Sequence, residues 1–327
     1  MNKLRKSSLY FGLLLMAMIL VGCNSDDAKN ASAENTENAV EKEEEKLEAE
    51  NVSATKMYTD ALSREVEIPT NPQRVVALWT VGEILALDVQ PVGSTTQLLR
   101  FYTDEEKDGI EIVGDSVIGD YEKILSLNPD LIVLYALAKE EEIEQFSKIA
   151  PTVTTQFFGE PMESLRDLGE ILNKQEEAED WIKEYNRRVE VAREEVKDLN
   201  LQDEKAVVIQ LALKNMYLYR SSTFPTIFDA YQFQLSSYQE KLQQDGNFAK
   251  EQLSIEILPK FSDVDRIFLI VNDEDSKAAY ETLKGSTIWN NLPAVKNNQV
   301  YVMHNRFSIT DITTLDWALD EVKRLLK

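Results

Sequence analysis

The strongest constraint on the fold is a long helical pattern between Gln175 and Leu199. Apolar residues recur there at alternating spacings of four and three, which places them in one stripe along a helix. They are Ala178, Ile182, Tyr185, Val189, Ala192, Val196 and Leu199. No Gly or Pro interrupts the pattern, and a helix of roughly 37 Å is longer than one small sheet requires. A short coiled-coil seam would give similar spacing. Because strand and helix signals alternate on both sides, we expect a strut that joins two lobes.

The first 23 residues have the organisation of an export signal. Three basic residues precede an apolar run over residues 9–21, which ends at Gly22 and at the only cysteine, Cys23. This ending resembles the bacterial lipobox, and the resemblance implies that Cys23 becomes the lipid-modified first residue of the mature protein. An ordinary secretory signal that contains a cysteine is the alternative. A single cysteine also excludes an internal disulfide.

Residues 24–56 form an acidic segment that contains no aromatic residue. A segment of this composition cannot bury enough apolar surface to offset the entropy lost on ordering, so we predict a disordered tether. The whole chain has a formal net charge of −23 at pH 7. Such a charge argues against a nucleic acid partner, because phosphates would be repelled. Membrane attachment then has to come from a lipid rather than from a polybasic patch.

The remaining residues alternate strand and helix signals, which indicates an α/β fold with mainly parallel sheets. We predict two Rossmann-like lobes: an N-terminal lobe over residues 57–174 and a C-terminal lobe over residues 201–327, joined by a single long helix over residues 175–200. Two such sheets would form a cleft at their strand ends. Locally, Thr80 and Glu83 predict a capping box, and the pattern from Lys250 to Pro259 predicts a helix.

Motifs for catalysis are missing from the sequence. It contains no G-x-S-x-G elbow, no G-x-x-x-x-G-K-[ST] loop and no H-E-x-x-H motif. His304 is the only histidine, so a transition-metal site built from imidazole and thiolate ligands lacks its residues. A carboxylate site for a hard cation stays open. We therefore expect a binding protein without a cofactor, and a lipid-anchored hydrolase would need an activated nucleophile that the sequence does not reveal.

Five stretches carry a family resemblance, and they occur in order along the chain. They are residues 71–78 (NPQRVVAL), 85–93 (LALDVQPVG), 122–133 (EKILSLNPDLIV), 253–256 (LSIE) and 289–301 (WNNLPAVKNNQVY). Together they resemble the substrate-binding lipoproteins of bacterial ABC importers whose two lobes are joined by one rigid helix. That group carries iron-siderophores, haem and cobalamin.

The resemblance implies capture of a large ligand between lobes that move little, followed by delivery to an ABC transporter permease. Iron(III)-siderophore complexes are the largest branch. Haem binders of the family use a Met near the position of Val117 or Ile118 and a His near Asn272, so haem is disfavoured here, while cobalamin stays open. A two-lobed sensory or adhesive surface lipoprotein is the alternative. We expect a monomer anchored by lipid to the extracytoplasmic face of the cell membrane.

The resemblance also points to residues that would contact the ligand. Siderophore binders of the family often carry an Arg on the first strand of the second lobe, where this chain has Gln210, and Arg220 is a candidate to replace that charge. A hydroxamate or carboxylate complex is therefore favoured over a highly charged catecholate. The candidate contacts are Trp79, Thr96, Arg100, Tyr102, Tyr135, Tyr219, Arg220, Asn272, His304 and Arg306. The alternative for each is a surface loop or a packed aromatic ring.

Two glutamates are candidates for docking to the permease. The family presents one Glu from each lobe to Arg pockets on the permease, and the matching positions here are Glu122 and Glu256. The alternative is that both are ordinary solvated glutamates on an acidic surface.

Overall fold

The first lobe is built on a parallel sheet. The structure is a computed structural model, and it describes residues 54–157 and 160–327. The first strands along the chain are β1 (Thr55–Thr59), β2 (Glu65–Pro69), β3 (Val75–Ala77), β4 (Gly93–Ser94), β5 (Glu111–Ile112), β6 (Leu131–Tyr135) and β7 (Thr152–Thr155). Within the described residues, β1 and β2 form an antiparallel hairpin and the others a parallel sheet in the order β5-β4-β3-β6-β7.

Helices cover both faces of this sheet. They are α1 (Val81–Ala86), α2 (Thr96–Leu99), α3 (Asp104–Lys107), α4 (Tyr121–Ser126), α5 (Glu140–Ser147) and α6 (Pro161–Leu172). On β6, Leu131 and Val133 belong to one core cluster, whereas Ile132 and Leu134 belong to another. Because both faces are buried, β6 is an uninterrupted apolar run rather than an alternating one.

The predicted strut is a helix, α7 (Gln175–Val196). The predicted apolar positions from Ala178 to Val196 are buried, and the opposite faces carry exposed ion pairs such as Arg187 with Glu184. Two short 3-10 turns follow the helix, separated by Asn200 in the left-handed conformation at φ 51°. Asparagine tolerates this conformation better than most residues, so the chain can turn there toward the second sheet.

The second sheet combines parallel and antiparallel strands. They are β8 (Lys205–Ala212), β9 (Asn215–Tyr219), β10 (Gln234–Leu235), β11 (Lys250–Leu253), β12 (Arg266–Val271) and β13 (Val300–Met303). In the described chain, β10 and β12 pair with β8 in parallel, β13 pairs with β12 in parallel, and β9 and β11 are antiparallel to their neighbours. The prediction of two α/β lobes with mainly parallel sheets and one long connecting helix is confirmed.

The helices of the second lobe complete the chain. They are α8 (Ser237–Gln243), α9 (Glu274–Lys284), α10 (Thr287–Asn290), α11 (Pro293–Lys296) and α12 (Ile312–Leu326), with a π-helical turn at Thr226–Ala230 and 3-10 turns that include Ser221–Thr223, Ile255–Phe261 and Asn305–Ser308. The last helix, α12, packs against α1, α6 and α7 as well as against the π-helical turn. One core cluster consequently contains residues of both sheets, of α7 and of α12.

Two local predictions are wrong for reasons of tertiary packing. Thr80 precedes α1 with φ 51°, in the left-handed conformation, and its side chain makes no capping hydrogen bond. Glu83 is buried rather than folded back as a cap. Residues 250–253 form the edge strand β11 against β9 instead of starting a helix, and a 3-10 turn begins only at Ile255. Pairing with a neighbouring strand overrode the local helical signal.

The predicted export signal with Cys23 and nearly all of the predicted tether lie outside the described residues. Strand β1 begins at Thr55, so the last two residues of the segment predicted as tether belong to the hairpin. A search of the described helices finds none with the length and apolar character needed to cross a membrane.

Candidate functional site

Aromatic side chains form a cluster at the carboxyl edge of the first sheet. Trp79 follows β3, Tyr135 ends β6 and Phe157 follows β7. The rings of Trp79 and Phe157 are stacked, with centroids 4.6 Å apart. Tyr135 lies at an angle to both, at 5.6 Å from Trp79 and 5.7 Å from Phe157. The structure thus brings the predicted residues Trp79 and Tyr135 together and adds Phe157, which the sequence analysis did not single out.

Neutral polar side chains line the corresponding edge of the second sheet. Gln210 near the end of β8 donates from Nε2 to Ser308 Oγ at 2.9 Å, and Ser308 Oγ donates to Asn272 Oδ1 at 2.5 Å. These residues come from the ends of two strands and from the 3-10 turn after β13. We call Gln210, Asn272 and Ser308 the amide trio. Asn272 was predicted, whereas Ser308 was missed.

The predicted residues Tyr219 and Arg220 lie where β9 ends. Tyr219 is half-buried, and burial raises the pKa of its hydroxyl. Arg220 donates from Nε to the carbonyl of Phe248 at 2.8 Å and from Nη2 to the carbonyl of Gly246 at 2.7 Å. The guanidinium therefore holds the loop before β11 while meeting no countercharge, since no ion pair of Arg220 is found within the described ranges.

The predicted residues Thr96 and Arg100 lie on an exposed part of the segment between β4 and β5. Thr96 Oγ1 donates to Asp115 at 3.1 Å. Arg100 donates to Gln97 at 3.0 Å, and its guanidinium lies 4.5 Å from the ring centroid of Phe101. Hydrogen bonds from Ser276 hold the pKa of Asp273 below its usual range, and the charge of Arg100 adds a smaller effect in the same direction. Arg100 of the first lobe thus lies near a carboxylate of the second.

His304 and Arg306 flank the start of the 3-10 turn after β13, in different environments. His304 is exposed, its Nδ1 accepts the Arg306 backbone N–H at 3.1 Å, and its ring lies 5.7 Å from that of Trp317. Arg306 is only 3% exposed. Its Nη1 and Nη2 donate to the two carboxylate oxygens of Glu106, at 3.1 and 2.8 Å. This bidentate ion pair joins the two lobes.

A second buried contact between the lobes lies beside that pair. The hydroxyl of Tyr102 donates to the carboxylate of Asp311, and both residues are buried. Burial raises the pKa of Tyr102 well above its ordinary value, and the charge of Asp311 raises it further. Tyr102 and Arg306 were predicted as ligand contacts, and the structure places the polar atoms of both in contacts within the protein.

The buried carboxyl group of Glu83 completes this interlobe cluster. Burial, followed by the charge of Asp311, raises the pKa of Glu83 to about 8. Its Oε2 has no hydrogen-bond partner among the described residues. The carboxylate of Asp311 lies so close to Gly82 that a Cβ there would be 2.4 Å from Asp311 Cγ. Any side chain at position 82 would therefore push the lobes apart.

The two predicted docking glutamates are both exposed on their respective lobes. Glu122 lies in the first turn of α4, and Glu256 lies in the 3-10 turn that follows β11. A hydrogen bond from Ser254 lowers the pKa of Glu256.

Within the described ranges no group of three or more His, Cys, Asp and Glu residues is arranged to hold a metal ion.

The fold and these strand-end side chains define a class of protein before any comparison is made. Two α/β lobes are joined by one long helix, and aromatic and amide side chains converge at the carboxyl edges of their sheets. In open α/β sheets that edge is where ligands bind. The chain is built as a two-lobed ligand-binding protein.

Comparison with known proteins identifies the family. The family described as periplasmic binding protein matches residues 94–307, and the chain belongs to it. The iron(3+)-hydroxamate-binding protein FhuD of Bacillus subtilis is 27% identical over 329 residues, covering 97% of this chain and 96% of that protein. The Fe(3+)-citrate-binding protein YfmC of the same organism is 29% identical, covering 88% and 86%.

A solved structure shows the same overall architecture. The crystal structure of Staphylococcus aureus SirA complexed with staphyloferrin B has a TM-score of 0.71 with this chain at 26% sequence identity, covering 83% of this chain and 98% of that one. Siderophore or ferric-ligand binding recurs in the names of these relatives, and one similar solved structure, from Bacillus subtilis, is a periplasmic binding protein component of a ferrichrome ABC transporter.

Proposed function

We propose that this protein is a lipid-anchored substrate-binding protein that captures an iron(III)-siderophore complex, of hydroxamate or carboxylate type, and delivers it to an ABC transporter permease. The observation that carries the proposal is the pair of strand-end surfaces: the cluster of Trp79, Tyr135 and Phe157 on one sheet and the amide trio on the other. No catalytic step is assigned to the protein. The related siderophore-binding proteins support the choice of ligand class.

Each surface suits a different part of such a ligand. The chelator supplies the oxygen atoms that bind Fe(III), so the protein recognises the outside of the complex. Aromatic rings offer a large rigid area for an organic backbone, while amide and hydroxyl groups pair with chelator oxygens and amides. Clefts that hold small molecules commonly combine an apolar lining with a few such polar groups.

The charges near the two surfaces favour a ligand of low net charge. Arg306 is already neutralised by Glu106, and the amide trio contributes hydrogen bonds without formal charge. Arg220 and Arg100 remain as candidate cations, since neither forms an ion pair within the described residues. Two candidate cations, rather than a cluster of three, suit an uncharged ferric trihydroxamate or a carboxylate complex of modest charge better than a highly anionic ferric catecholate.

Delivery requires an anchor and a docking surface. Cys23 would carry the lipid that holds the protein at the extracytoplasmic face of the cell membrane, as a monomer. Glu122 and Glu256 would present one carboxylate from each lobe to the permease. Both are exposed, which supports this role.

Tryptophan fluorescence tests the binding function directly. The mature chain with Cys23→Ser would be titrated with ferric hydroxamates, ferric citrate and a ferric catecholate, using the metal-free chelators as controls. We expect saturable quenching by a ferric hydroxamate or by ferric citrate and weaker quenching by the catecholate. Because Trp79 lies in the aromatic cluster, Trp79→Phe should remove most of the signal change. Absence of saturable binding to every ferric complex would refute the proposal.

A further inference from the structure

The protein itself surrounds the guanidinium of Arg306 and accepts hydrogen bonds from four of its five N–H donors. Glu106 takes two of its hydrogen bonds in a bidentate arrangement, and Thr314 and Thr313 accept from Nε and Nη2 at 3.2 Å each. The rings of Tyr102 and Trp317 lie 5.6 and 5.3 Å from the guanidinium carbon. An anionic ligand therefore cannot form a bidentate pair with Arg306 while Glu106 is in place.

This ion pair lies at one side of the strand-end surfaces described above. Arg306 belongs to the same 3-10 turn as Ser308 of the amide trio, and exposed His304 immediately precedes the turn. Glu106 is on α3, in the segment that leaves the carboxyl end of β4. The pair thus connects the carboxyl edges of the two sheets beside the residues that we propose contact the ligand.

Glu106 is held in place and in its charged form. Its side chain is 26% exposed, against 4% for Arg306, so it covers the guanidinium from the more open side. Its Oε2 also accepts from the backbone N–H and the hydroxyl of Thr103, at 2.7 and 2.9 Å. Burial alone would raise the pKa of Glu106, but the hydrogen bonds from Arg306 and Thr103 outweigh it and leave the pKa lowered. The pair is therefore neutral as a unit near pH 7.

We propose that Glu106 is a specificity-determining residue that acts as a built-in counter-ion for Arg306 and thereby restricts the cleft to ferric complexes of low net charge. The inference rests on the proposed function and makes it more specific. If no carboxylate of the protein were paired with it, a buried guanidinium would attract an anionic complex through paired, charge-assisted hydrogen bonds. Here the protein's own carboxylate occupies that position, so an anionic ligand gains nothing from Arg306 and is repelled by Glu106.

The test compares two ligands that differ in charge. Dissociation constants for a ferric linear trihydroxamate and for ferric citrate would be measured for wild type and for Glu106→Gln, a neutral isostere. Glutamine keeps the shape of Glu106 but not its charge, so the positive charge of Arg306 is no longer balanced and citrate is no longer repelled. We expect the affinity ratio to shift toward citrate by roughly 10- to 150-fold, the range of one charge-assisted interaction. Glu105→Gln is the matched control, because Glu105 is the exposed neighbour on the same helix and its change removes the same charge while Arg306 stays paired with Glu106.

Two further variants separate a charge effect from damage to the fold. Glu106→Asp keeps the negative charge, so its affinity ratio should stay close to that of wild type. The double variant Glu106→Gln with Arg306→Gln should show no shift in the affinity ratio, because it lacks the guanidinium that would attract citrate. The inference is overturned when Glu106→Gln moves the ratio no more than Glu105→Gln does, or when the double variant keeps the shift. If wild type binds neither ferric complex, the proposed function is overturned as well. That outcome differs from one in which both complexes bind and the affinity ratio is unchanged, which overturns only the role of Glu106.

Discussion

Replacing Glu83 by glutamine should make the protein more resistant to unfolding at alkaline pH while leaving its stability at pH 5 almost unchanged. Glu83 is 3% exposed, and its pKa is raised from the ordinary 4.5 to about 8. Between these two pH values the folded protein binds a proton at Glu83 that the unfolded chain does not. The free energy of unfolding therefore falls as pH rises through this window, with a slope of at most about 1.4 kcal/mol per pH unit.

The magnitude follows from the width of the window. Between pH 5 and pH 8 the titration of Glu83 should remove about 3 to 4 kcal/mol from the free energy of unfolding of wild type. Glutamine has no proton to lose, so Glu83→Gln lacks this contribution to the slope. The titratable groups near Glu83 include Asp311 and Tyr102, and both are retained in the variant.

Urea unfolding of both proteins across pH 5 to 8.5 measures this difference. Glu144→Gln is a suitable control, because Glu144 is exposed on α5. Other carboxyl groups with raised pKa values, such as those of Asp167 and Asp229, contribute equally to wild type and variant and cancel in the comparison. A stability difference between wild type and Glu83→Gln that is constant over the whole pH range would refute the reasoning.

Three further outcomes are expected. Arg220→Ala should weaken binding of the best ferric ligand by roughly 10- to 150-fold, and Arg220→Lys should recover part of the loss. If the titration gives an unchanged dissociation constant for Arg220→Ala, Arg220 does not belong to the ligand site. Cys23→Ala should be exported but not anchored, and metabolic labelling with a fatty-acid analogue should give no labelled protein, so labelling of the variant would contradict the assignment. Changing Glu122 and Glu256 together to Ala should abolish uptake of the ferric ligand while binding in solution persists, and normal uptake by that variant would exclude the docking role.

Regular, locally repeated patterns were the part of the fold that the sequence could predict. The stripe from Ala178 to Val196 follows from the helical period alone, and α7 is its direct result. The capping box at Thr80 failed because Glu83 is drawn into the core beside Asp311, which lies far away in the chain. Residues 250–253 form a strand instead of a helix, because they pair with β9 in the second sheet. Both errors come from contacts that no local window contains.

The candidate site shows the same division between local and distant information. Trp79, Tyr135 and Asn272 were predicted as ligand contacts because each lies at the end of a buried strand, where ligands bind in open α/β sheets. Phe157 obeys the same rule and could have been found by applying it to β7. The ion pair of Arg306 could not be predicted, because Glu106 is separated from it by 200 positions. The sequence shows that an arginine is present but not which carboxylate neutralises it.

The packing of the last helix has a consequence for how the chain matures. Helix α12 closes apolar surface on α1 and α6 of the first lobe, although it is synthesised after both sheets. The first lobe therefore lacks part of its core until residues 312–326 have emerged. A chain threaded through a membrane from its amino end would stay incompletely packed until α12 has emerged. Truncation within α12 should leave both lobes vulnerable to proteases, so that only molecules with a complete α12 accumulate.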